Sequence, residues 1–184
     1  MKKCIPIWNS NRFTVGSKEY GLQWRRETPQ DEAFLLRLFV SVRGGEFAAS
    51  GLPEELQQTI LWQQFCLQRK SYGSSYLSEG FGILEQDAVT IGRLYLAHNE
   101  QALRIVDLSL LPEWRNCGVG TRVLRHLCAE AARESSKVAL SVFASNPARR
   151  LYRRLGFLEV GESSGYLQME WNGATQGITS LQKV

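Results

Sequence analysis

Residues 103–134 read LRIVDLSLLPEWRNCGVGTRVLRHLCAEAARE, and no other stretch restricts the fold as tightly. An apolar run leads into Leu111-Pro112, and a turn follows with Arg115, Gly118 and Gly120. Apolar residues then recur at helical spacing: Val119, Val123, Leu124, Leu127, Cys128 and Ala131. This predicts a strand, a tight turn and an amphipathic helix lying on a sheet. The next run, KVALSVF at 137–143, is apolar enough for a strand buried on both faces. A strand, a helix and a strand in succession require the two strands to be parallel. The turn between strand and helix suits an anionic, phosphate-bearing ligand. Unpaired N–H groups converge at a helix N-terminus, and the helix dipole adds positive potential there.

The rest of the chain is built around that unit. Residues 1–19 show no period and read as a loose N-terminal arm. Tyr20, Leu22 and Trp24 alternate with polar neighbours as a first strand. Thr28-Pro29-Gln30-Asp31 opens a first helix, with Thr28 as N-cap, and Gly44-Gly45 closes it. A second helix starts at Leu52-Pro53-Glu54-Glu55, with Leu56, Ile60, Leu61, Phe65 and Leu67 expected to face inward. Residues 71–79 read as loop, and 81–84 and 89–96 as two strands of a hairpin. After the 137–143 strand come a short helix at 148–155 and two strands at 158–160 and 166–171. A polar tail occupies 172–184. The sum is one α+β domain over 20–171: a mixed, mostly antiparallel sheet with one parallel pair.

Composition narrows the function classes. At 184 residues the chain has room for one domain with a real core. Pro6, Asn9 and Asn11 interrupt the N-terminal apolar residues, and no run approaches the roughly 18 apolar residues of a membrane span. A cytoplasmic location without a membrane partner is the default expectation. Cys4, Cys66, Cys117 and Cys128 show no CxxC spacing and read as small buried thiols, and His98 and His126 lack nearby cysteines, so no metal site is expected. The net charge is +4, and residues 112–160 hold nine Lys/Arg against four Asp/Glu. The positive excess thus surrounds the glycine turn and the segment after it, which favours a polyanionic ligand.

Two familiar phosphate loops fail here. A P-loop needs a lysine after its last glycine, and Thr121 follows Gly120. A dinucleotide fingerprint needs a third glycine near Val123 and an acid at the end of the next strand, where Phe143-Ala144-Ser145 stands. Arg115-x-x-Gly118-x-Gly120, after a strand, a proline and an aromatic, instead resembles the R/Q-x-x-G-x-G/A motif of the GNAT superfamily of N-acetyltransferases. Residues 146–157, NPARRLYRRLGF, resemble that superfamily's second motif. The two motifs cover roughly 103–160, with the 137–143 strand between them.

The resemblance implies a single GNAT-like domain with helices on both faces and a central parallel pair splayed to hold acetyl-CoA. It implies that backbone amides of Arg115, Asn116, Cys117, Gly118, Val119, Gly120 and Thr121 cradle the cofactor pyrophosphate. It implies that the pantetheine arm pairs with the main chain of Leu108, Ser109 and Leu110, in the manner of an added strand. Asn146 resembles the asparagine that contacts the cofactor arm, though five residues separate it from Tyr152 where many members have six. Arg149 or Arg150, on the short helix beside the cofactor cleft, is placed to reach a cofactor phosphate. Tyr152 stands at the position of the phenol that protonates the departing thiolate.

The residues leave the acceptor side open. Asp107, which shares a strand face with Ser109, leads Glu46 and Glu79 as the general base. The expected function is acetyl transfer from acetyl-CoA to a primary amine by direct attack in a ternary complex; the rival is an acyl-CoA-binding module without transfer activity. The acceptor is a small-molecule or protein amine, nucleic acid is not expected as a partner, and a homodimer is compatible with the sequence. Phe47 and Trp62 are candidates for an apolar wall, and the turn at 161–166 for part of the pocket rim.

Overall fold

The computed structural model describes residues 12–15, 21–47, 50–76, 78–98 and 102–173. Eight strands form one sheet: β1 (Arg12–Thr14), β2 (Leu22–Arg26), β3 (Phe81–Gln86), β4 (Val89–His98), β5 (Ala102–Leu110), β6 (Lys137–Phe143), β7 (Leu158–Ser163) and β8 (Tyr166–Asn172). Their order is β1-β2-β3-β4-β5-β6-β8-β7. Among these pairs only β5 and β6 run parallel. The expected α+β class and central parallel pair are therefore present.

Strand β1 falls in the segment that reads as a loose arm, yet Phe13 pairs with Trp24 of β2. Three residues are too few to carry an alternation signal. Strands β3 and β4 are longer than expected because their connection is only Asp87-Ala88, both with positive φ (51° and 65°). That is the two-residue turn whose twist matches its strands. Tyr20, expected in the first strand, lies outside the described residues, as does all but the start of the C-terminal tail.

The entry to helix α1 (Glu32–Arg43) is fixed by Asp31. After Thr28, residues Pro29–Asp31 make a tighter 3-10 turn before the α-helix starts. The Thr28 N–H and Oγ1 donate to Asp31 Oδ2 at 2.8 and 2.9 Å. The Arg25 guanidinium donates to both Asp31 oxygens at 2.7 Å. Helix α2 (Glu54–Ser75) continues through the stretch read as loop. Its inward set is also smaller than expected: Leu61 and Phe65 are buried, whereas Leu56 and Leu67 are 44% and 65% exposed. Helix α3 (Val119–Arg133) buries the six residues expected of it, and α4 is Arg149–Arg154.

The helices take opposite faces. On one, Val123, Leu124, Leu127 and Ala131 of α3 join Leu103, Ile105, Val138 and Leu140 in the main core. Trp24 belongs to this core and donates from Nε1 to the Leu94 carbonyl at 3.0 Å. Its ring lies so close to Gly82 that a Cβ there would stand 2.1 Å from it. On the other face, α1 and α2 close a second cluster with Phe34, Leu35, Leu38, Phe39, Leu61, Phe65, Ile83 and Leu111.

Candidate functional site

Two irregularities in β5 create the site. Parallel pairing with β6 stops at Ile105 opposite Leu140, while β5 continues along β4 to Leu110. The strands therefore part above Ile105. The register with β4 also shifts between Tyr95, opposite Asp107, and Leu96, opposite Ile105, which makes Val106 a bulge. The Leu111 N–H is spent on the Ile91 carbonyl at 2.9 Å. By alternation, the N–H groups of Leu108 and Leu110 point into the gap and those of Ser109 point back to β4. Of the three residues expected to pair with a cofactor arm, two present their backbone to it.

The gap leads up to the turn before α3. Gly118 caps that helix with φ 81°, a conformation that favours glycine, and nothing lies within 4 Å of where its Cβ would be. No side chain caps the helix, so its first N–H groups are left for a ligand. Asn116 also has positive φ (60°), and Cys117 is exposed within the turn. The residues present thus fit a pyrophosphate group. Thr121 is half-buried in the first helical turn.

The Arg115 side chain is committed elsewhere. Its Nε donates to the Leu110 carbonyl at 2.9 Å and its Nη2 reaches Ser41 O and Oγ at 3.3 Å. Its N–H closes the 3-10 turn onto Pro112. Arg115 thus ties the end of β5 to α1 and shapes the turn without pointing at a phosphate. The Arg149 side chain, expected at a cofactor phosphate, instead donates to the Ala144 carbonyl and to Glu159, which Arg153 also holds at 2.6 Å. Asn146 Oδ1 accepts from the Ala148 N–H at 2.9 Å and so organises the entry to α4. Neither contact was legible from spacing, because Glu159 and Ala144 belong to other elements.

Tyr152 of α4 is half-buried against the main core, its ring 5.8 Å from Phe157. Burial, and then the Asp107 carboxylate, push its phenol up to about 12. Tyr152 and Asp107, 45 residues apart in the chain, thus come within electrostatic reach of each other.

Asp107 is the hub of a buried polar cluster. Its Oδ2 accepts from Arg93 Nη2 at 2.6 Å and Tyr72 Oη at 3.0 Å, and its Oδ1 accepts from Ser109 Oγ at 2.6 Å. Arg93 is 3% exposed. Its Cζ lies 5.1 and 5.8 Å from the centres of the Tyr95 and Tyr72 rings, whose faces attract the cation, and its Nε and Nη1 make no hydrogen bond among the described residues. Tyr95 stacks on Phe81 at 4.3 Å and donates to Glu27, whose other oxygen takes Arg69 at 2.8 Å. Burial, followed by Asp107, raises Tyr72 above the usual phenol range against the opposing pull of Arg93, and Tyr166 lies near enough to add to the effect.

Tyr72 and Arg93 were missed by the sequence reading. Tyr72 fell in the stretch taken for loop, and Arg93 is an isolated cation in an apolar strand. That second fact was the usable signal, because a lone arginine in a buried strand needs a carboxylate. The other candidates sit apart. Glu46 is exposed and pairs with Arg43 at 3.0 Å, Trp62 is 45% exposed, and Phe47 packs on the α1/α2 cluster. The Glu79 side chain lies outside what is described. Of the thiols, Cys128 is buried but Cys66 and Cys117 are exposed, and Cys4 lies outside the described residues. Among the described residues no helix is long and apolar enough to cross a membrane.

A split parallel pair below an uncapped helix N-terminus defines a cleft for an extended, phosphate-bearing ligand. The chain belongs to the acetyltransferase (GNAT) family, whose profile matches residues 46–157. No curated protein matches it in sequence. Its fold is similar to that of a PaiA N-acetyltransferase from Thermoplasma acidophilum, solved in complex with coenzyme A (18% identity, 82% of this chain and 98% of that one, TM-score 0.59). It is also similar to PH1933 from Pyrococcus horikoshii (16% identity, 82% and 98%, TM-score 0.57). A third likeness is to Arabidopsis thaliana Naa50 in complex with a bisubstrate analogue, CoA-Ac-MVNAL (11% identity, 83% and 99%, TM-score 0.53).

Proposed function

We propose that this protein is an acetyl-CoA-dependent N-acetyltransferase acting on a primary amine by direct attack in a ternary complex, with Tyr152 as general acid. The observation that carries the reading is the parting of β5 from β6 below the uncapped α3 N-terminus, with Tyr152 close to Asp107 at the gap. Bound acetyl-CoA supplies an activated thioester to the amine. The amides of residues 116–121 hold its pyrophosphate, and the N–H groups of Leu108 and Leu110 hold its arm and offer a donor to the acyl oxygen. Two of the similar structures, the Thermoplasma PaiA N-acetyltransferase and Arabidopsis Naa50, hold coenzyme A or a CoA conjugate, which supports the same ligand here.

Tyr152 keeps its proton at Oη throughout the neutral range because burial and Asp107 disfavour the phenolate. It is therefore loaded to protonate the departing sulfur, and the proton that the amine nitrogen gives up on acylation passes to solvent, from which Tyr152 is refilled. Asp107 was expected to act as base. Its two oxygens serve three donors, which supports a positioning role instead: it orders Tyr72, Arg93 and Ser109 and keeps Tyr152 protonated. Replacing Tyr152 by Phe should slow the chemical step about a hundredfold in single-turnover assays, with acetyl-CoA affinity unchanged. An unaltered single-turnover rate would remove Tyr152 from the chemistry.

A further inference from the structure

The apolar cluster under helices α1 and α2 takes in Ile83 of β3 and Leu111 just after β5, and among the described residues it holds none from β6 or β8. In β6, Val138, Leu140 and Val142 belong to the α3-side core, so Ser141 and Phe143 face the opposite way, and both are exposed. In β8, Leu167, Met169 and Trp171 face α3, so Tyr166 and Gln168 share the open face with Phe143. The result is an open face of β6 and β8 beside the parted strands, bordered on the β5 side by Asp107, which holds Ser109 and Tyr72 of α2.

Two features of this open face are chemical. Phe143 and Tyr166 are directly paired across the strands, and their rings meet edge to face at 5.1 Å. They are nevertheless 48% and 47% exposed, an aromatic surface left open at the mouth of an acyl-transfer cleft. The carboxylates on this stretch of the face are also already neutralised: Asp107 by Arg93, and Glu170 by Lys137 at 3.0 Å. Arg104, which donates to Ser141 at 2.8 Å, adds a further positive charge to this face. A polycation would meet cations where it needs acids.

We propose that the acceptor is a primary monoamine whose aromatic or bulky apolar group packs on the Phe143–Tyr166 pair while its nitrogen lies beside Asp107. This rests on the acyl-transfer reading above and names the substrate class it left open. The Phe143–Tyr166 pair lies on β6 and β8, the strands next to the parted edge of β5 that carries Asp107, and Tyr72 touches Asp107, so one acceptor can span from the aromatic pair to the gap.

The test uses the full chain with acetyl-CoA and follows free-thiol release with phenethylamine, tryptamine, spermidine and lysine. The expected result is a kcat/KM for phenethylamine at least about tenfold above that for spermidine. Phe143→Ala should erase most of that gap by raising KM, and Tyr166→Phe should keep it while Tyr166→Ala does not. Preference for spermidine, or a gap that survives both alanine variants, overturns the proposal. Calorimetric titration of phenethylamine into the CoA-saturated protein separates the two readings. Binding that Phe143→Ala abolishes, without turnover of any amine, would sink the transferase reading and leave the aromatic site standing. Absence of phenethylamine binding would overturn the aromatic site itself.

Discussion

On the α3 side of the sheet, Val123, Leu124, Leu127 and Ala131 meet Leu103, Ile105, Val138 and Leu140 in a cluster without a charged residue. On the α1/α2 side, Arg93, Asp107, Tyr72, Tyr95 and Glu27 are packed together between strands and helix. Both faces exclude water, but for different ends. The first gains free energy from every methylene it hides. The second takes charges out of water and recovers that cost only through close pairing. A fold that needed only stability would use the first solution twice. The second places ionic and phenolic groups where a reaction can use them.

The sharpest way to break this contrast is Arg93→Ala. It leaves Asp107 buried without its cation, and the expected destabilisation in urea titration is about 3–5 kcal/mol. A loss no larger than that of a surface substitution would mean the cluster is hydrated and the two faces are alike. Leu127→Ala probes the other face. It should cost about 2–4 kcal/mol through the cavity it leaves, with the rate of acetyl transfer per folded molecule unchanged. A slowed rate there would show that the apolar face also tunes the site.

Asp31 offers a smaller, pH-dependent test away from both. Its hydrogen-bonded pairing with Arg25 outweighs burial and lowers its carboxyl from the ordinary 3.8 to about 2. A depressed carboxylate contributes stability that is present above the unfolded value and lost as pH falls from about 4 to about 2. Asp31→Asn should therefore remove about 1 kcal/mol near neutrality, after screening by solvent, and almost nothing at pH 2. Equal destabilisation at both pH values, read from thermal melts, would assign the effect to the helix cap and not to charge. The smallest effect is expected at the hairpin: Ala88→Gly relieves a positive φ (65°) and should stabilise by up to about 1 kcal/mol, with lower stability as the contrary result.

The α3 unit was legible from sequence because its apolar residues form one stripe that a sheet can cover. Helix α2 was not, because it carries two. Leu61 and Phe65 lie on one side while Leu56 and Leu67 lie on another, and periodicity alone does not say which side meets the sheet. Its end was misplaced too, since Gly73, Ser74 and Ser75 look like loop residues and still complete the last turn. The motif turn was readable in its backbone role. The side chains around it were not: Arg115, Asn146 and Arg149 are engaged by carbonyls, an amide and a carboxylate that tertiary structure brings to them. Tyr72 and Arg93 meet Asp107 only through the α2 docking and the β4–β5 register, neither of which a motif encodes.

The bulge at Val106 can be seen as a phase change in β5. Below it, Leu103 and Ile105 point to α3, and strict alternation would send residues 107 and 109 the same way. The inserted residue inverts the count, so Leu108 and Leu110 take up the α3 side and Asp107 and Ser109 turn to the other. One extra peptide unit thus lets a single strand serve as core in one half and as a reactive edge in the other. Regular pairing with Val106 kept in register would exchange those assignments, sending the carboxylate into the apolar layer. Where the Asp107 carboxylate sits depends on that one-residue shift of register as much as on the identity of the residues around it.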